Sequence, residues 1–195
     1  MQAAPRRIAG KSAATNAQGE GTGNGAEATQ TAALMSDDKP YPLLAAKDIA
    51  ALPEKVNVHQ FNANAIRHTR SLGDLLGLTD IGIHLVRLEQ GNASTQFHFH
   101  HIDEEFVYIL SGRGIAEIGN DRHEIGPGDF MGFRRESLPH SMSNPHAEDL
   151  VYLMGGNRNA IDICDYPRIG RRMYRVDGIK QYVDLENLHD VGKPK

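Results

Sequence analysis

The chain has no tryptophan and a single cysteine, Cys164, among its 195 residues. One thiol excludes an intrachain disulfide and points to a reducing compartment, so a cytoplasmic protein is expected. Long hydrophobic runs are also missing. No apolar stretch reaches the roughly 18–20 residues that a membrane-spanning helix needs, and no membrane partner is expected. Arg6 and Arg7 are not followed by the run of about 7–15 apolar residues that marks a secretory signal. Neither sign of charge dominates, with 21 Lys and Arg against 25 Asp and Glu and a net charge of −4. The basic stripe of a nucleic-acid surface is therefore absent. There is no phosphate-cradling glycine loop, dinucleotide fingerprint or nucleophile elbow.

Residues 1–38 contain no aromatic side chain and are mostly Ala, Gly, Thr, Asn and Gln. Such a segment buries too little apolar surface to offset its ordering entropy, and a disordered low-complexity tail is expected. Met35, before Ser36-Asp37-Asp38-Lys39-Pro40, is a plausible alternative start. Residues 40–195 are expected to form one domain, with a core at about 79–167 and flanks at 40–78 and 168–195.

Residues 43–52 are a short helix candidate, and 70–80 form an apolar lead-in that ends in a turn. Beyond Thr79 the chain breaks into short strand-like runs at 81–89, 94–100, 104–112, 114–120, 122–126, 129–134, 140–144, 149–156 and 161–166. Runs of that length, punctuated by Gly, Pro, Asn and Asp, argue an all-β sandwich or barrel. Gly119–His123 has hairpin-turn chemistry. Segments 173–177 and 180–184 read as an extra hairpin beyond the barrel, from which no catalytic group is expected. Arg168, Arg171, Arg172 and Arg175 are expected to form a solvated face, with an anionic partner or an arm over a neighbouring subunit as alternatives.

Residues 98–105 crowd His98, His100, His101, Asp103, Glu104 and Glu105 ahead of an apolar run. Strand alternation puts His98 and His100 on one face, and Glu105 shares a face with Val107 and Ile109. Burying two imidazoles and a carboxylate together is expensive unless something pairs with all of them. A divalent cation does so, and two imidazoles with one carboxylate suit Fe, Mn, Ni or Zn while leaving positions open for substrate or water. Gln96 shares the face of His98 and is a candidate for substrate contact. Met142 should face inward beside His140, as core packing or a second substrate contact. His101 is expected in a solvent-facing loop, with support of the histidine cluster as the alternative. Asp103 and Glu104 are expected in a solvated turn, with orienting the ligand histidines as the alternative, and Asn144 at a turn or strand end. Cys164 is expected to be a small apolar residue, and His59, His68, His84, His123, His146 and His189 are given no role.

The histidine stretch resembles the first conserved motif of the cupin superfamily, G(X)5HXH(X)3,4E(X)6G. Gly91 is followed by six residues where the family has five. Glu105 then meets both later spacings, whereas Glu104 leaves seven residues before Gly112. Residues 135–144 resemble the end of the second motif, G(X)5PXG(X)2H(X)3N, through His140 and Asn144. Its Pro and Gly positions hold Arg135 and Ser137, so the preceding turn is expected to differ. The runs at 72–91, 104–112, 127–129, 139–144 and 162–167 are similar to a group of uncharacterised bacterial single-domain cupins. The resemblance implies a double-stranded β-helix, a metal held by His98, His100, Glu105 and His140, and a homodimer. It leaves the activity open between a metal-dependent enzyme (dioxygenase, isomerase, decarboxylase or lyase) and a metal-anchored module that binds a small ligand without turnover.

Overall fold

The computed structural model describes residues 40–189 and 191–192. The tail expected at 1–38 lies outside them. The described residues belong to one compact unit.

The order of elements is α1 (Ala46–Ala51), β1 (Lys55–His59), β2 (Asn62–Ser71), α2 (Leu72–Leu75), β3 (Ile81–Leu88), β4 (Phe99–His100), β5 (Glu105–Ser111), β6 (Gly114–Ile118), β7 (Asp121–Ile125), β8 (Phe130–Phe133), β9 (His140–Ser143), β10 (Leu150–Asn157), β11 (Ile161–Tyr166), β12 (Arg171–Val176) and β13 (Ile179–Asp184). They form a six-stranded sheet in the order β1-β2-β3-β10-β5-β8, a four-stranded sheet β13-β12-β11-β4 and a three-stranded sheet β7-β6-β9. All pairings are antiparallel. The all-β expectation holds, and the fold is the double-stranded β-helix. No helix among the described residues is long and apolar enough to cross a membrane.

Period-two patterning builds the interior. Along β5, Val107 and Ile109 are buried while Tyr108 and Leu110 are exposed. The register sets Tyr152 of β10 between Val86 of β3 and Ile109 of β5, and all three lie in the same core cluster with Leu88 and Leu150. Each fully buried aliphatic side chain there contributes about 1.5–3 kcal/mol. Two-residue loops close the hairpins: Gly119 and Asn120 join β6 to β7, and Asp177 and Gly178 join β12 to β13. Asp177 at φ 47° and Gly178 at φ 81° take the paired positive angles of a tight hairpin turn.

Three expectations need correction. The flank at 53–71 carries the strands β1 and β2, because pairing with β3 overrides the polar, weakly patterned sequence of β2. The expected strand at 94–100 is reduced to Phe99–His100, preceded by bends. The solvated face expected of the C-terminal arginines holds for the more exposed Arg168 and Arg171 and fails for Arg172 and Arg175. Arg172 pairs with Asp165 at 2.6 Å, Arg175 with Asp103 at 2.6 Å, and the Arg168 guanidinium lies 3.8 Å over the Phe97 ring.

Candidate metal centre

Three short strands and one isolated bridge deliver the predicted ligand set to one point. His98 and His140 exchange backbone hydrogen bonds across an isolated bridge, at 3.1 and 2.8 Å, which locks the two chains side by side. His100 lies on β4 opposite Cys164 of β11, and Glu105 opens β5. His98 and His140 are buried, and the rings of Phe133 and His140 stack face to face.

The Nε2 atoms of His98, His100 and His140 stand 3.5, 3.6 and 3.5 Å from the same oxygen, Glu105 Oε2. Donor atoms of His98, Glu105 and His140 lie within 4.8 Å of one another, and His100 joins through its own approach to Glu105. These separations exceed a good hydrogen bond.

The other nitrogen of each ring explains the arrangement. His98 Nδ1 meets the Gln96 carbonyl at 2.9 Å, His140 Nδ1 the Leu138 carbonyl at 3.4 Å, and His100 Nδ1 the Asp162 carboxylate at 2.6 Å. A carbonyl oxygen or carboxylate only accepts, so each Nδ1 donates, and each ring in its neutral form then presents the Nε2 lone pair to the centre. That is the ligand form of histidine. Burial pushes the His98 imidazole down, away from the charged form. Three lone pairs and a carboxylate with no proton to share fit a divalent cation.

The sequence missed Asp162. It is fully buried on β11, holds His100, and accepts the Asp103 N–H at 3.1 Å. Its signal was present, since alternation in residues 161–166 puts an aspartate on the inward face with Cys164 and Tyr166. Asp103 is likewise buried, bonded to Asn159 and Arg175, and so is not in a solvated turn. Glu104 is exposed and takes no part in the cluster. His101 pairs with Asp165 at 3.1 Å, half-buried and away from the centre. Asn144 clasps a turn, donating to the Leu88 and Glu148 carbonyls, as expected of it.

The cluster opens into a cavity of about 250 Å³. Met142 lines it while packing in the core. Gln96 does not line it: with residues 94–97 in bends, alternation fails, and Ser94 and Thr95 face the cavity instead. Gln96 contributes its backbone carbonyl. The hairpin β12–β13, expected to supply no catalytic group, lends Met173, Arg175 and Lys180 to the walls. Cys164 is buried, and burial raises its thiol, so it is no activated nucleophile.

Residues 84–156 match the family described as Cupin domain. A crystal structure from Acidithiobacillus ferrooxidans, provisionally named a sugar phosphate isomerase, is 42% identical over 77% of this chain and 97% of its own, with a TM-score of 0.76. A cupin-superfamily sugar phosphate isomerase from Silicibacter pomeroyi is 25% identical over 75% of this chain and 94% of its own, with a TM-score of 0.66. An uncharacterised protein of Methanocaldococcus jannaschii is 31% identical over 75 residues, 38% of this chain, and the chain spans 52% of that curated relative. The chain belongs to the cupin superfamily.

Proposed function

We propose that the protein binds one divalent metal ion through His98, His100, Glu105 and His140 and is a metal-dependent enzyme acting on a small oxygen-rich molecule, by isomerisation. The observation that carries this is the convergence of three Nε2 atoms, each with its ring's Nδ1 turned to a carbonyl or carboxylate acceptor, on one Glu105 oxygen. Fe, Mn, Ni and Zn all suit the donor set. A divalent ion there supplies Lewis-acid polarisation of a substrate oxygen. The chain's own residues orient the ligands through Nδ1 and enclose the substrate in a cavity of about 250 Å³. Isomerisation is favoured over oxygenation, decarboxylation and elimination by the names of the two similar structures, which are said of those proteins and extended here by analogy.

One observation supports a second reading, metal-anchored binding without turnover. Among the described residues, Glu105 is the sole carboxylate lining the cavity, so a carboxylate base independent of the ligand set is lacking. We place the protein in the cytoplasm from its lone cysteine and as a homodimer from its family, with residues 40–195 as one cupin domain.

Elemental analysis of protein purified without chelator should give about one metal ion per chain, lost in His98→Ala and Glu105→Ala with the fold retained. A panel of hydroxy-carbonyl sugars and sugar phosphates, followed by proton NMR in D2O, should show interconversion in the wild type alone. Full metal with no turnover on any panel member moves the protein to the second reading. No metal, and none taken up on reconstitution, ends both.

A further inference from the structure

Three cavity-lining side chains outside the ligand set are hydrogen-bond donors: the Tyr152 phenol, the Arg67 guanidinium and the His59 imidazole. Tyr152 is 0% exposed, and its hydroxyl has no hydrogen-bond partner among the described residues. A buried hydroxyl is ordinarily paired, so an orphan on a cavity wall points to a group that arrives there.

Arg67 is the second. Arg70, Arg87, Arg172 and Arg175 each hold a carboxylate, whereas the polar neighbour of the half-buried Arg67 is the Met154 sulfur at 3.8 Å. Strand register brings it to Tyr152. Thr69 of β2 pairs with Val86 of β3, and Val86 with Tyr152 of β10, so the three share a face. Arg67 precedes Thr69 by two residues and Met154 follows Tyr152 by two, which keeps both on that face.

The third is His59, at the end of β1. Its Nδ1 accepts the Phe61 N–H at 3.2 Å, so its proton sits on Nε2. That is the opposite tautomer to the three cluster histidines, whose Nδ1 atoms donate. It suits His59 to give a hydrogen bond and not to bind a metal. Burial keeps it neutral, at about 4, and pushes the Tyr152 phenol up to about 12, so both hold their protons as donors at neutral pH.

We propose that Arg67, Tyr152 and His59 form an anion subsite, which receives the phosphate or carboxylate group of the small molecule handled at the metal centre. A guanidinium, a phenol and an imidazole N–H supply one positive charge and only donors, the complement of a multi-oxygen anion. The exposed Lys180 on β13 adds a second positive charge to the cavity lining. This subsite deepens the function proposed above and rests on it for the identity of the molecule, but its chemistry does not require a metal.

The test is calorimetric titration of the full chain with inorganic phosphate, and separately with acetate, with metal content measured for every variant. The wild type should bind phosphate. Arg67→Gln and Tyr152→Phe should each weaken it by about tenfold or more, with metal content unchanged. Tyr152→Phe should also raise the melting temperature in phosphate-free buffer, because it removes an unpaired buried hydroxyl. His98→Ala should lose metal yet keep its phosphate affinity. Acetate binding with the same variant dependence, and tighter than phosphate, would assign the subsite to carboxylates. The proposal is overturned if neither anion binds, if Arg67→Gln and Tyr152→Phe bind as the wild type does, or if His98→Ala alone abolishes binding, which would put the anion on the metal. Should His98→Ala retain metal while Arg67→Gln loses phosphate, the subsite stands and the metal assignment falls.

Discussion

A histidine ring has two nitrogens, and in this cavity the partner of one sets the use of the other. Carbonyl or carboxylate acceptors at Nδ1 free the Nε2 lone pairs of His98, His100 and His140, while a backbone donor at Nδ1 leaves His59 with a proton to give. The His100–Asp162 bond, at 2.6 Å, is the shortest of these contacts and the one made to a charge. Burial opposes ionisation of Asp162, but its hydrogen bond with His100 outweighs that and lowers its carboxyl. Asp162→Asn should therefore weaken metal binding by about 10–100-fold while leaving the circular dichroism spectrum unchanged. Competition with a chromophoric chelator measures it, and unaltered affinity would reduce Asp162 to a structural buried acid.

At the scale of elements, the corners between strands decide whether the ligands meet. Gly112, which closes the first cupin motif after β5, has φ +75°, and a Cβ there would lie 2.1 Å from the Asp149 carbonyl oxygen and 3.0 Å from Leu150 Cα. Both obstacles are backbone, so neither can swing aside. Gly112→Ala should destabilise the protein by more than about 1 kcal/mol, read as a lower urea midpoint at unchanged m-value. A variant as stable as the wild type would show that the β5 corner relaxes at little cost. The β12–β13 hairpin works on the site from the other side: Arg175 reaches back to the buried Asp103, whose N–H binds Asp162, and Asp162 in turn holds His100. Elements far apart in sequence thus share one polar network.

For the molecule as a whole, stability should depend on pH through His59, which packs on Phe61 and Tyr166. Its folded value is about 4 against an ordinary 6.5, with burial the main cause and Arg67 next. Between those values the unfolded chain carries a proton that the folded chain refuses. The unfolded state binds more protons there, so stability falls as pH falls from about 6.5 to 4 and is untouched by this group above that window. His59→Gln should lose less stability than the wild type between pH 7 and pH 5 in urea unfolding. Equal losses would remove His59 as the source.

The strands from 81 to 166 were legible to within a residue or two at most of their ends, because short apolar or alternating runs are bounded there by Gly, Pro, Asn and Asp. The cluster was legible because His98, His100 and Glu105 are too polar for the apolar, strand-like stretch they stand in. β1 and β2 were not legible: their polar, weakly patterned residues become strands by pairing, and these two strands carry His59 and Arg67 into the cavity. Gln96 was misplaced because alternation holds only while the backbone stays extended.

The sequence by itself determined an all-β cupin barrel and the four side chains brought to one centre, since local periodicity and motif spacing are properties of neighbours along the chain. The tertiary structure alone decided which nitrogen of each histidine faces inward, which acid steadies His100, and which donors remain without a partner. Those depend on contacts such as Asp162 to His100 and the shared face of Arg67 and Tyr152, where the residues lie 62 and 85 positions apart. No local pattern encodes a pairing across that distance.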